Sequence, residues 1–154
     1  MDAMLNNERL SLYSIPAMYV LSLVPAVLKN RLVGSQAGWD NVNPRQNLER
    51  AVTKNKISAE VAARVRRMEG AHANANEALP LWFAAVLAAN YAGVDARTAN
   101  VASIVFLTLR ALHTYTYITQ TTRVRSLFRS LAWFGSVGIA IRLLIQAGNK
   151  ARYT

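Results

Sequence analysis

Cysteine is absent from this 154-residue sequence, and histidine occurs only twice. Without cysteine there is no disulfide framework, no thiolate nucleophile and no cysteine-bound metal, so any sulfur chemistry must use a thiol that a ligand brings. The two histidines fall on different predicted helices, and we expect no metal site. The sequence also lacks a glycine-rich phosphate loop, a His-x-x-His pattern and a serine nucleophile elbow, which argues against the chemistries that depend on them.

Charge is nearly absent from four long stretches, at about 10–28, 71–94, 98–118 and 130–147. A helix of about 20 apolar residues crosses a bilayer, whereas a helix of a soluble bundle carries charged residues every few positions. The chain is 53 % hydrophobic, and its charges gather between the stretches. The pattern predicts one domain over residues 1–154, an all-α, multi-pass integral membrane four-helix bundle surrounded by membrane lipids.

The formal net charge of +10 would suit a nucleic-acid binder, but the cations do not form one face. They follow the first and third stretches, whereas the connection between the second and third has only Arg97 and the N-terminal tail only Arg9. This positive-inside asymmetry predicts that the first and third connections are cytosolic and that both termini lie on the other side. Lys150 and Arg152 are a minor exception. We expect no nucleic-acid partner.

Local signals predict how the second helix begins and ends. Ser58 followed by Glu60 indicates a helix start, so this helix should begin in the cytosol and enter the membrane near Ala71. The short turn at 92–95 predicts that the second and third helices are antiparallel neighbours. In the first helix, Pro16 and Pro25 either kink the helix or open its backbone, or they are tolerated membrane prolines.

Four residues on one face of the second helix follow spacings of three, four and three: Arg67, Gly70, Asn74 and Glu77. A carboxylate inside a membrane helix is costly, so a functional site is the default hypothesis for Glu77. Its expected partner is Arg110 on the third helix. Either the pair only fixes helix packing, or Glu77 also contacts a ligand.

The third helix carries a polar stripe at i, i+3, i+4 and i+7, formed by Arg110, His113, Thr114 and Tyr117. It predicts the wall of a polar cavity that opens towards the cytosolic end, although a single membrane histidine is more often a packing hydrogen-bonder. One turn apart at the start of the fourth helix, Arg125 and Arg129 either extend to lipid headgroups or form an anion site with the helix N-terminus.

Two motifs in this order are similar to those of the MAPEG family, the membrane-associated proteins in eicosanoid and glutathione metabolism. They are Ala71-His72-x-Asn74-x-x-Glu77-x-x-Pro80, and Arg110-x-x-His113-Thr114-x-x-Tyr117 followed by Arg125. The resemblance covers roughly 58–142, and the loop at 39–45 is closer to fungal and bacterial-type members. It implies a homotrimer with glutathione as co-substrate in a polar pocket between subunits, and a lipophilic substrate that arrives from the bilayer.

The resemblance also implies roles for individual residues. Arg125 would stabilise the glutathione thiolate, Arg110 would pair with Glu77, and Arg31 would reach across the subunit interface. His72 and Arg129 are candidates for substrate contact or acid–base chemistry. The residues expected to hold glutathione are Arg67, Asn74, Glu77, Arg110, His113 and Tyr117.

The chain departs from the family pattern at two places. Gly70 stands where the family usually has arginine, and Arg67, one turn earlier on the same face, is the expected compensation. Phe128 and Arg129 stand where many members have tyrosine, and the spacing leaves Arg123 as an alternative to Arg125.

The resulting hypothesis is a membrane glutathione transferase, or a glutathione-dependent isomerase or peroxidase, that acts on lipophilic electrophiles in detoxification or lipid metabolism. Its location would be the endoplasmic reticulum or another microsomal membrane if the source is eukaryotic. Two alternatives remain open: a glutathione-independent isomerase or cyclase of a hydrophobic metabolite, with His72, Glu77 and His113 as acid–base groups, and a non-catalytic lipid-binding scaffold.

Overall fold

The computed structural model describes residues 5–6 and 9–152, and within these ranges it contains helices and no strand. The all-α prediction is therefore confirmed. A short 3-10 helix, Leu10–Tyr13, leads into the first long helix, and a second one, Pro44–Gln46, precedes α2. The α-helices are α1 Ser14–Ala37, α2 Asn47–Thr53, α3 Ala59–Tyr91, α4 Ala96–Thr119 and α5 Arg123–Ala151.

Three helices are long and apolar enough to cross a membrane: Leu10–Ala37 (the first 3-10 helix with α1), α4 and α5. The fourth long helix, α3, has 33 residues, but charged residues fill its first half and Asn74 and Glu77 interrupt its apolar half. That α3 also crosses the membrane stays a prediction.

Side chains of the connecting segments cap the last three long helices. Ser58 Oγ accepts a hydrogen bond from the Val61 N–H at 3.2 Å, which confirms the predicted helix start. Asp95 Oδ2 accepts from the Thr98 N–H at 2.9 Å, and this bond holds the pKa of the Asp95 carboxyl below its usual value. Since α3 ends at Tyr91 and α4 begins at Ala96, the predicted short turn is present.

Helix α1 continues to Ala37, beyond the apolar stretch at 10–28, and ends where Gly38 adopts a φ of +76°. The loop that follows is held by the buried side chain of Asn47, which accepts from the Asp40 N–H and donates to the Asp40 carbonyl, both at 2.9 Å. Arg50 Nη1 pairs with Asp40 Oδ2 at 2.8 Å. The loop is therefore ordered by its own polar contacts.

The core between the long helices centres on Trp82 of α3, which is fully buried. Its ring stacks on Phe106 of α4, with centroids 3.8 Å apart, and its Nε1 donates to Ser14 Oγ of α1 at 3.1 Å. Small buried residues of α3, such as Ala85 and Ala89, allow the neighbouring backbones to approach closely, as is common between membrane helices.

Candidate functional site

Three cavities that share lining residues follow α3, α4 and α5 inward from the α4–α5 connection. The outer cavity, about 380 Å³, has Arg67, Arg123 and Arg129 in its wall. The middle cavity, about 260 Å³, shares Arg129 with it. The inner cavity, about 190 Å³, shares Asn74 and Trp133 with the middle one. We call the three together the polar groove.

The outer end of the polar groove is cationic, since three arginines and no carboxylate line it. Arg67 is fixed there by a hydrogen bond from Nε to the Ile118 carbonyl (3.0 Å), and Arg129 by one from Nη1 to Gln120 Oε1 (3.0 Å). Arg67 thereby satisfies a carbonyl that the end of α4 leaves without a helical partner. The arrangement favours an anionic ligand at this end.

Tyr117 forms the middle of the polar groove together with His113 and Arg129. The two rings meet edge to face with centroids 5.6 Å apart. The guanidinium carbon of Arg129 lies 5.0 Å from the Tyr117 ring centroid, a cation–π contact. Arg129 thus connects the cationic end to the aromatic middle of the polar groove.

Gly70, the main departure from the family pattern, is explained by the position of Tyr117. A Cβ at residue 70 would lie 2.7 Å from the Tyr117 hydroxyl oxygen and 3.0 Å from its Cε1. At these distances a side chain at residue 70 would require Tyr117 to shift, so Tyr117 occupies the space that a larger residue at position 70 would need.

Arg110 is fully buried, and its Nη2 donates to the carbonyl oxygen and to Oδ1 of Asn74, at 3.1 and 3.0 Å. The predicted pairing of Arg110 with Glu77 is not a contact within 4.0 Å in the described ranges, since neither of the two ion pairs there includes Glu77 or Arg110. Glu77 acts on Arg110 at longer range, from an exposed position beside the inner cavity. The reason is geometric: Asn74 lies one turn before Glu77 on α3 and accepts the hydrogen bonds of the Arg110 guanidinium.

Four buried polar atoms in the described residues have no hydrogen-bond partner, and all belong to one segment of α4. They are Nε and Nη1 of Arg110, Nδ1 of His113 and Oγ1 of Thr114. Leaving a buried donor or acceptor unpaired costs roughly 1–3 kcal/mol. A contribution to the stability of the fold therefore does not explain why these polar groups are in this segment. His113 lines the middle cavity, and Asn74 links Arg110 to the same wall.

Several predicted residues line none of the three cavities: Arg110, which reaches their wall only through Asn74, and His72, Arg125 and Arg31. His72 packs α3 against α1: its Nδ1–H donates to the Ser22 carbonyl at 2.7 Å, and Asn76 Nδ2 donates to its Nε2 at 3.2 Å. Arg125 is exposed, and its Nη1 donates to the Thr119 carbonyl at 3.0 Å, at the end of α4. The more weakly matched Arg31 is exposed and lines none of these cavities.

Arg129 of α5 was predicted from the sequence, but four residues that follow it on this helix and line the polar groove were not. Ser130, Trp133, Phe134 and Ser136 line the middle and inner cavities. Their signal was the recurrence of polar residues on one face of an otherwise apolar helix, beginning with Arg129. No group of three or more potential metal-ligating residues lies together in the ranges that the structure describes.

Three helices long and apolar enough to cross a membrane indicate an integral membrane protein. A family model described as the MAPEG family matches residues 11–147, nearly the whole chain. The chain therefore belongs to the MAPEG family, which works in glutathione and eicosanoid metabolism and includes non-catalytic members. The searches of curated proteins and of solved structures each returned no match.

Proposed function

We propose that this protein is an enzyme that uses glutathione as co-substrate: a transferase, or a glutathione-dependent isomerase or peroxidase, acting on lipophilic electrophiles. The observation that carries the proposal is the set of unpartnered polar atoms on Arg110, His113 and Thr114 beside a groove with a cationic end. Family membership supports the same class of chemistry.

The residues of the polar groove match the chemical groups of glutathione, a peptide with two carboxylates, an ammonium group and a thiol. Arg67 and Arg129 would bind a carboxylate, and Glu77 would accept the ammonium group. Asn74 and His113 supply polar atoms for the peptide, with Tyr117 between them and the arginines. A lipophilic substrate would reach the thiol from the bilayer side, where Trp133 and Phe134 line the polar groove.

The thiolate needs a cation, and an arginine in the first two turns of α5 is our proposal for it. The sequence motif favours Arg125, with Arg123 as an alternative. The arrangement of the polar groove adds Arg129, because this side chain lines both the outer and the middle cavity whereas Arg125 lines neither. Alanine substitution at each position distinguishes them.

The assembly we propose is a homotrimer in an intracellular membrane, with four membrane spans and both termini on the non-cytosolic side. The exposed position of Glu77 on a single chain supports it, because a carboxylate that faces lipid is costly, and a second copy would cover that face. The mass of the protein–detergent complex should correspond to three chains. A monomer would contradict this part of the proposal.

Calorimetric titration of the purified protein with glutathione is the first test, and we expect saturable binding. With glutathione bound, ultraviolet absorbance should report a thiolate near neutral pH. Replacing the stabilising arginine by alanine raises the pKa of the bound thiol, so the thiolate signal should move to higher pH, and the lost conjugation rate should partly return there.

The variants to compare are Arg125→Ala, Arg129→Ala and Arg123→Ala, with the exposed Arg45→Ala, in the 3-10 helix before α2, as the control. If the thiolate signal moves to higher pH only in Arg125→Ala or only in Arg129→Ala, that residue is the one that stabilises the thiolate. A shift only in Arg123→Ala contradicts both assignments. Absence of both binding heat and thiolate signal in the unmodified protein would overturn the glutathione proposal and favour the two alternative functions.

A further inference from the structure

A fourth cavity lies at the other end of α4 and α5 and has no lining residue in common with the polar groove. It measures about 350 Å³ and is open between the first turns of α4 and the C-terminal half of α5. On α4, Arg97, Val101 and Val105 line it at spacings of four residues, so they share one face of the helix. Ile139 and Arg142 line it from α5.

Among the described residues that line this cavity, the charged ones are two arginines, Arg97 and Arg142. Arg142 is exposed and has no hydrogen bond or ion pair within the part of the chain that the structure describes. Arg97 donates from Nη1 to Asn6 Oδ1 at 3.5 Å. Asp95, the nearest carboxylate along the chain, caps α4 through Thr98. It attracts Arg97 electrostatically, but the two ion pairs within 4.0 Å in the described residues include neither arginine.

Arg142 lies inside a helix that is apolar enough to cross a membrane. An arginine within such a helix is costly unless it reaches the interface or meets an anion. Arg97 is the second residue of α4, which places it near the headgroup level of a bilayer. Arg142 lies deeper, nine residues before α5 ends at Ala151, and the cavity that both arginines line connects it to that level. Two cations lining one cavity repel each other, and an anion between them removes the repulsion.

The apolar part of the cavity decides what kind of anion fits. From Arg97 the wall continues along α4 to Val101 and Val105, and Ile139 continues it on α5. A small inorganic anion would use only the arginines, whereas an amphiphile would place its acyl chain on this apolar wall. We propose that the cavity binds an anionic phospholipid, with its phosphate between Arg97 and Arg142 and one acyl chain along Val101 and Val105.

Native mass spectrometry of the full chain, released from detergent after incubation with lipid, tests the proposal. The probes are phosphatidylglycerol and phosphatidylcholine with identical acyl chains, together with inorganic phosphate. We expect phosphatidylglycerol to be retained about tenfold more strongly than phosphatidylcholine, and this preference to be lost in Arg142→Gln and reduced in Arg97→Gln, because each loses a charge-assisted hydrogen bond.

Arg152→Gln is the matched control, because it removes the same charge at the same end of α5 but outside the cavity. Val105→Trp keeps both arginines and fills the apolar wall, so we expect it to weaken retention of phosphatidylglycerol as well; it also serves if Arg142→Gln does not fold. Equal losses in Arg152→Gln and Arg142→Gln would reduce the effect to general surface attraction and overturn the proposal. Retention unaffected by Val105→Trp, or displaced by inorganic phosphate, would indicate a simple anion site instead.

Discussion

The two halves of the helix bundle treat their buried polar groups differently. In the half near the α3–α4 turn, which we call the paired half, the Ser11 N–H donates to Asn100 Oδ1 at 2.7 Å and Trp82 donates to Ser14. In the half near the α4–α5 connection, which contains the polar groove, one segment of α4 from Arg110 to Thr114 holds every unpartnered buried polar atom of the described residues.

This difference separates polar groups that hold the helices together from polar groups for which the described residues supply no partner. Paired polar groups between helices fix one packing arrangement. Unpaired ones lower stability, and their persistence in one place is typical of a functional site. The comparison predicts that substitutions in the paired half change stability, whereas substitutions around the polar groove mainly change ligand binding.

The largest effect on stability is expected from Trp82→Ala in the paired half. The substitution removes the stack on Phe106 and the hydrogen bond to Ser14, and it leaves a cavity. We expect a loss of about 3 kcal/mol, the low end of the range for a buried tryptophan, because within a bilayer the packing contribution remains and the transfer from water does not. Thermal unfolding in detergent measures it.

The control for Trp82→Ala is Tyr91→Ala, at the exposed end of the same helix, where 95 % of the residue's surface is accessible. Its melting temperature should be nearly unchanged. Equal losses in both variants would mean that the core around Trp82 does not dominate the paired half.

Gly70→Ala should destabilise the protein by about 1–3 kcal/mol through overpacking against Tyr117. Glutathione binding should weaken as well, because Tyr117 must move away from its place beside His113. Gly138→Ala is a matched control in α5, where an added Cβ meets nothing within 4 Å, and it should stabilise by up to about 1 kcal/mol. Combining Gly70→Ala with Tyr117→Ala should restore stability; a double variant no better than Gly70→Ala would contradict this contact.

Arg110→Met should leave stability unchanged or slightly raised, because it removes a buried charge with two unpaired nitrogens. Glutathione binding, by contrast, should fall sharply in calorimetry. Since Glu77 and Arg110 interact only at longer range, the effects of Glu77→Gln and Arg110→Met on the melting temperature should depart only slightly from additivity. A double variant with a melting temperature well above the value expected from the sum of the two single effects would show that the two groups meet directly.

The smallest effect concerns the cap of α4 in the paired half. Hydrogen bonds from the Thr98 N–H and hydroxyl lower the pKa of the Asp95 carboxyl from 3.8. The stabilisation is therefore present above pH 3.8 and is lost as the pH falls through the lower pKa of the folded state. The melting temperature should drop slightly more for the wild type than for Asp95→Asn between about pH 5 and about pH 3, because asparagine caps without titrating. Melting temperatures of the wild type and Asp95→Asn that fall in parallel as the pH is lowered would contradict this prediction.

Much of the fold could be predicted from the sequence because its signals are local. The capping residue Ser58 marks the start of α3, and the short segment at 92–95 requires α3 and α4 to be antiparallel. The uncharged stretch at 10–28 is long enough to predict a membrane-crossing helix without tertiary information. The family was also predictable, since its two motifs lie on single helices with fixed spacing.

The candidate site was only partly predictable. The stripe of Arg110, His113 and Tyr117 follows from helix periodicity, and the structure places His113 and Tyr117 in one wall of the polar groove. The partner of Arg110 did not follow, because residues 74 and 77 lie on the same face of α3 and their order along the helix does not determine which one the guanidinium meets.

The sequence by itself determined the helices, the asymmetry of charge and the family, because each depends on residues that are neighbours along the chain. Only the tertiary structure decided that Arg110 bonds Asn74, that Tyr117 packs against Gly70, and that Arg129 rather than Arg125 lines the polar groove. These contacts depend on the rotation and axial shift of one helix against another. Small changes in either move a side chain from one partner to the next, and no local pattern encodes them.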